Sequence, residues 1–318
     1  MKPFRPGSTN AVVAAGMSTA VAVVLSMLGL YLPIFSTVIF LLIPLPIAYI
    51  GVIHGARWSV LVTAGTLILD SVFFGVFSGA FVCAIFAVLG AALGACYRRR
   101  VRPAITLFAG AAAVLVAFGL QILFGIFVLG IDMSVINGTF LESVRQSTEE
   151  LLPQFYAGDD LEAARAGMNE TYEVLRKSLI FIGATVCVIY SWAAMALSHY
   201  IFERLGLKDL PGLPPLSRWE LPVVSVYAYL AFFGLGMVIT DDEMVSLVLY
   251  NLQMMCNFVF LLQGISFAWW LPVRFPIFGT LRWFLVIGAF FLPFLQSLLV
   301  VMGLFDLLFH YRQRRQYQ

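Results

Sequence analysis

The chain has 318 residues, of which 61% are hydrophobic and 11% charged, and its mean hydropathy is +0.95. A water-soluble domain of that length cannot hide so much apolar surface, so soluble enzymes and soluble binding modules are excluded. Lysine and arginine number 19 and aspartate and glutamate 17, a net charge of +2 that carries information only once the charges are placed along the chain.

Nine long apolar stretches separated by short polar turns predict an all-α polytopic membrane protein. Lys2 and Arg5 precede the first, residues 11–31, with Ser8, Thr9 and Asn10 as N-cap candidates. That run is longer than a signal-peptide core and lacks a small-residue cleavage site, so it reads as a retained span. A second span covers residues 36–53 and holds Pro44 and Pro46. A polar turn, His54 to Arg57, leads to a third at 58–74, which contains Asp70. A tight turn at 75–79 precedes a fourth span at 80–97, closed by Arg98, Arg99, Arg100 and Arg102. The fifth is 104–131.

The composition then changes. Residues 132–176 carry nine acidic and three basic side chains, and their apolar residues are too sparse to span. One short amphipathic helix is expected around Phe140, Leu141, Val144, Leu151 and Leu152, and a second over 161–175, running into the next span. The sixth span is 178–202, and a Pro/Gly-rich connector follows at 205–222. The seventh is 223–239, ending at Thr240, Asp241, Asp242 and Glu243, and the eighth is 244–271. The ninth stretch, 283–309, precedes Tyr311, Arg312, Arg314 and Arg315. Pro293 lies in its middle and is expected to fold it into a short hairpin, giving ten crossings in place of nine. Two membrane domains follow, 1–203 with six spans and 204–318 with three or four.

Charge placement sets the expected orientation. With a cytoplasmic N-terminus, Arg57, the Arg98 to Arg102 cluster, Arg204, Lys208, Arg218, Arg274 and Arg282 all fall inside. The acidic 132–176 segment and the Asp241 to Glu243 turn fall outside. This is the positive-inside pattern of a polytopic membrane protein. The basic cluster reads as a topology determinant and anionic-lipid contact, not as a nucleic-acid site. Trp219, Trp269, Trp270 and Trp283 fit an interfacial aromatic belt.

Several motifs carry a family resemblance. Ala11 and Ala15 are four apart on the first helix. The second holds Ile43-Pro44-Leu45-Pro46-Ile47, followed by Gly51, His54, Gly55 and Arg57 at the turn. A long polar connection precedes the sixth span, and the chain ends through Gly303, Asp306, His310 and Arg312. The first 203 residues resemble the substrate-binding (S) component of energy-coupling factor vitamin transporters. The whole chain is similar to the YybS-like family, uncharacterised bacterial membrane proteins related to those components. The resemblance implies a solute pocket within six helices and separate energising subunits. It also implies that Ala11 and Ala15 let a partner transmembrane subunit pack closely, although packing within the chain explains the same pattern.

Asp70 is the sharpest single position, because an ionised carboxylate in a span costs about 2.5–3.5 kcal/mol. With Gln121 and Tyr190 nearer mid-depth, it forms a candidate pocket for a polar solute. The competing reading is a helix-end cap bonded to the 75–79 turn. Pro44 and Pro46 either expose carbonyls to a solute or make a packed kink. Gly90 and Gly94 form a small-residue pair of the same ambiguity. Gln253 and Asn257 read as interhelical hydrogen bonds, and Asp306 as a partner of Arg312 or a helix terminus. The four cysteines, Cys83, Cys96, Cys187 and Cys256, read as core hydrophobes.

No phosphate-binding GxxxxGK[ST], HExxH or GxSxG motif occurs, and nothing places a nucleophile beside a base or groups metal ligands. The expectation is therefore a non-enzymatic solute-binding membrane component without cofactor or metal, energised by a separate coupling subunit and ATPase. The alternative is an inner-membrane structural or assembly factor. Orientation is directly testable. A cysteine at Ser147 in intact spheroplasts should react with an impermeant thiol reagent; labelling only after lysis would reverse the assignment.

Overall fold

The computed structural model of the chain describes residues 9–76, 82–130, 133–207, 210, 212–238, 243–274, 278–309 and 312. Lys2, Arg5, most of the 75–79 turn, Asp132, Lys208, Thr240 to Asp242, His310, Tyr311, Arg314 and Arg315 lie outside them. Among the described residues there are twelve α-helices and no strand. They are α1 (Thr9–Tyr31), α2 (Ser36–Leu42), α3 (Pro44–His54), α4 (Ala56–Gly75), α5 (Val82–Arg98) and α6 (Pro103–Leu129). Then come α7 (Met133–Phe155), α8 (Asp159–Arg204), α9 (Val224–Val238), α10 (Glu243–Arg274), α11 (Phe278–Phe291) and α12 (Pro293–Leu308).

Each of the nine apolar stretches is helical, but they differ in reach. Six are long and apolar enough to cross a membrane: Asn10–Tyr31, Pro33–His54, Ala56–Gly75, Pro103–Phe127, Asp160–Arg204 and Met244–Leu271. The fourth and seventh stretches form the shorter apolar helices Cys83–Arg98 and Val224–Val238. In the ninth, Leu292 is extended (φ −121°, ψ 108°) and Pro293 opens α12. The helices on either side are bent by 120°. A methyl on Gly288 would overlap Leu295, so this glycine lets the two arms approach.

Prolines and glycines set the other boundaries. Pro44 has no N–H to give to the helix behind it, so the second stretch breaks at Ile43, whose N–H turns to the Phe40 carbonyl at 3.3 Å. Gly55 leaves α3 at φ 111°, a conformation closed to L side chains. Gly130 ends α6 in the left-handed region, its N–H bonded to Gly125. The two amphipathic helices expected over 132–176 exist, and the second is continuous with the sixth span. At 46 residues α8 runs about 69 Å, against about 30 Å of hydrocarbon, so its polar first half must extend beyond the bilayer.

The chain divides into two compact units, residues 1–143 with 183–213, and residues 144–182 with 214–318. This differs from a cut at 203/204. Leu207, Leu210 and Leu213 pack against the cluster of Leu89, Leu93, Tyr97 and Phe202, which keeps the start of the connector in the first unit. Residues 144–182 join the second unit through Asn251 on α10. Its side-chain amide accepts from Phe181 N–H (2.9 Å) and donates to Lys177 C=O (2.8 Å), and Phe181 meets Phe258 edge-on.

In the first unit, α3 and α5 touch backbone to backbone. A Cβ on Gly90 would lie 2.6 Å from the Pro44 carbonyl, and one on Gly94 2.8 Å from that of Ala48. The Gly90/Gly94 pair and the proline break therefore belong to one packed kink. Ser59 Oγ donates to Ile47 C=O (2.9 Å) and Ser191 Oγ to Leu107 C=O (2.8 Å), joining helices across the unit. Arg98 Nη1 donates to the Val52 and Ile53 carbonyls at 3.1 and 3.0 Å, capping the end of α3.

In the second unit α10 and α12 are the close pair. A methyl on Gly264 would overlap the Leu299 carbonyl, and one on Gly303 would crowd Phe260 C=O. Gly264→Ala should therefore destabilise by about 1–3 kcal/mol. Gly119→Ala, with nothing within 4 Å of the added methyl, should be neutral or stabilise by up to about 1 kcal/mol. Thermal unfolding in detergent, followed by size-exclusion chromatography, checks both.

Candidate functional site

Asp70 sits in the last two turns of α4 with no exposed surface. Neither carboxylate oxygen has a hydrogen-bond partner among the described residues. The polar side chains facing it are the Ser26 hydroxyl from α1 and the Cys83 thiol from α5, both fully buried and both within interaction range of the carboxylate. The one hydroxyl proton of Ser26 is given to the Ala22 carbonyl at 3.1 Å. Thr66, one turn below, likewise gives its proton to Val62 C=O at 2.8 Å. Hydroxyls turned back on their own helices satisfy α1 and α4 and leave the carboxylate with the weakly donating Cys83 thiol as its remaining neighbour. A buried acceptor left unmatched costs about 1–3 kcal/mol when neutral and more when charged. Residues 77–79 of the turn that a helix-end cap would bond lie outside the described residues.

Tyr190, on the membrane half of α8, reaches the same region from another side. Its ring meets Phe86 edge-on at 5.5 Å, and Phe86 stacks on Phe40 at 5.2 Å. Phe86 is three residues beyond Cys83 on α5, so Asp70 and Tyr190 converge on one stripe of that helix. Gln121 is buried on α6 and has a partner of its own.

The small residues of α1 are placed differently from one another. Ala11 is fully buried and Ala15 is partly buried, packed against the core cluster around Ala22 and Ile47. Their close approach is thus used inside the chain. Gly16 and Ala20, also four apart, lie on the exposed face, and nothing comes within 4 Å of a Cβ on Gly16.

The second unit holds a polar network of the opposite kind. Asp306 on α12 and Arg312 form an ion pair (Nη2 to Oδ2, 2.9 Å), their side chains 2% and 4% exposed. Gln263 Nε2 donates to Asp306 Oδ2 at 2.8 Å, and its Oε1 accepts from Leu221 N–H at 3.2 Å. Arg312 Nη1 donates to Ser217 C=O, Trp219 C=O and Ser266 Oγ at 3.0, 3.3 and 3.1 Å. The Ser266 hydroxyl in turn lies 2.7 Å from Leu216 C=O and 2.8 Å from Trp219 C=O. The connector at 216–221 is thereby tied to α10 and α12. The Asp306–Arg312 pairing was legible in sequence; Gln263 and Ser266 were not, though their three-residue spacing on α10 puts them on one face. Asn257 accepts from the Tyr229 hydroxyl at 2.9 Å, an interhelical bond as expected, and Gln253 lies near Gly236. The four cysteines are free thiols, and no group of metal-binding side chains occurs among the described residues.

Removing one partner of a buried ion pair typically costs about 3–5 kcal/mol, because the other charge stays buried. Arg312→Gln should lower the thermal midpoint accordingly. Adding Asp306→Asn to it should cost less than the two single effects summed. Strict additivity in such a double-mutant cycle would show that the pair is not coupled.

Residues 20–307 match a protein family described as "Predicted membrane protein (DUF2232)". The "Uncharacterized protein YybS" of Bacillus subtilis (strain 168) is 22% identical over 311 residues, which cover 96% of this chain and 98% of that protein. No solved structure matches.

Proposed function

The chain belongs to the family described as predicted membrane protein (DUF2232), and we propose that it is an integral membrane component of S-component type that binds a small polar solute. The observation that carries this reading is the fully buried, unmatched carboxylate of Asp70. Such a group asks for a donor-bearing or cationic partner, and a solute amine or hydroxyl is of that chemistry. Tyr190, reaching the same stripe of α5 through Phe86, supplies an aromatic wall and a second polar tip.

Energy for uptake would come from outside the chain, which has no phosphate-binding loop of its own. A coupling transmembrane subunit, with its ATPase, would meet the open face of α1, where Gly16 and Ala20 permit close approach. Charge placement supports residence in the bacterial cytoplasmic membrane, with the N-terminus inside and 132–176 outside.

The second reading, a structural or assembly factor, is favoured by the second unit. Its Asp306–Arg312 network ties α10, α12 and the 216–221 connector to one another.

Mass spectrometry of the gently purified full-length protein for a co-purifying small molecule separates the two. Under the first reading a molecule co-purifies, and Asp70→Asn lowers its affinity about tenfold while the solute-free thermal midpoint holds. A midpoint that falls without solute would make Asp70 structural. Wild-type affinity in the variant would remove it from the site.

A further inference from the structure

We propose that Arg282, Trp269 and Trp283 form a binding site for the phosphate of an anionic phospholipid. Arg282 lies in the second turn of α11, and its guanidinium carbon stands 5.1 Å from the Trp269 ring centre and 5.7 Å from that of Trp283. The two indoles meet edge to face at 5.1 Å, with 73° between their planes. Two ring contacts within 6 Å hold the cation by its faces. They leave its N–H donors, which lie in the guanidinium plane, for another partner.

Among the described residues that partner is missing. Arg282 Nε is buried without a hydrogen bond, and the side chain makes no ion pair among the described residues. Arg312, in the same unit, also lies over a ring, Phe267 at 5.6 Å, and although its Nη2 lacks a well-aligned hydrogen bond, it pairs with Asp306 at 2.9 Å while Nη1 donates to three oxygens. Arg282 is fixed by a comparable aromatic contact with no acceptor supplied. A guanidinium fork fits a phosphate in bidentate fashion.

The surroundings choose the source of that phosphate. Trp283 is half exposed, and Ile287 and Phe291 follow at four-residue steps, 54% and 78% exposed. They make an apolar track of about 12 Å leading from the cation along α11. Free phosphate has no use for such a track, whereas a phospholipid lays an acyl chain along it. Indoles are also the side chains that settle at headgroup depth.

The test uses the full-length protein in a neutral maltoside detergent, titrated separately with dioleoylphosphatidylglycerol, dioleoylphosphatidylcholine and inorganic phosphate. Native mass spectrometry reads adducts, and thermal unfolding reads the midpoint. Phosphatidylglycerol should give a retained adduct and raise the midpoint, with the other two giving neither. Arg282→Gln should weaken phosphatidylglycerol binding about tenfold. Arg282→Lys, which keeps the charge and so guards against a variant that fails to fold, should fall between. Equal phosphatidylglycerol affinity in wild type and Arg282→Lys would remove the fork from the site. Inorganic phosphate matching phosphatidylglycerol would overturn a lipid ligand, and equal retention of phosphatidylcholine would overturn recognition of an anion.

Discussion

Hydrocarbon offers no hydrogen bonds, so every backbone N–H and C=O in a span has to be satisfied from within the chain. Where α2 meets α3, Pro44 contributes no N–H, and the break is packed against Gly90 so that no water is needed. At the end of α3 the loose carbonyls are taken by Arg98, which reaches across from α5. On α8 the amide of Asn251 spans one helical step, between Phe181 N–H and Lys177 C=O. Thr19, Ser26, Thr66, Ser178 and Ser198 each turn a hydroxyl onto the carbonyl four residues back. The irregular points of this structure are thus the places where a side chain from elsewhere completes a backbone.

Against that background the two buried carboxylates differ. Asp306 has an arginine, a glutamine amide and a tied connector around it, and it holds three segments of one unit together. Asp70 is at least as deeply buried, yet its serine neighbour gives its proton elsewhere. A chain able to build the first environment is not short of means to complete the second. The unmatched state of Asp70 is for that reason the feature that any functional account has to explain.

Much of this fold was legible in the sequence, because apolar run length and proline and glycine placement are local signals. The nine stretches, the break at Pro293 and the amphipathic character of 132–176 all follow from residues read in order. The choice between Ala11/Ala15 and Gly16/Ala20 was less legible. Helix α1 is apolar on all sides, so periodicity cannot say which side meets protein. Of the three site candidates, Asp70 and Tyr190 are brought onto one stripe of α5, and Gln121 is buried on α6. Depth along a span can be counted from sequence, but rotation about its axis cannot. Asn251 and Lys177 are 74 residues apart, and no local pattern announces their bond.

The Arg312 network also has an order in time. Its members leave the ribosome in sequence: the 216–221 connector, then Gln263 and Ser266, then Asp306, and last Arg312. Ser217 precedes Arg312 by 95 residues, so at roughly 5–20 residues per second its carbonyl waits roughly 5–20 s for that donor. Asp306 waits for six residues, roughly 0.3–1.2 s, with Gln263 already at hand as a neutral partner. The network therefore cannot close before Arg312 itself has been made.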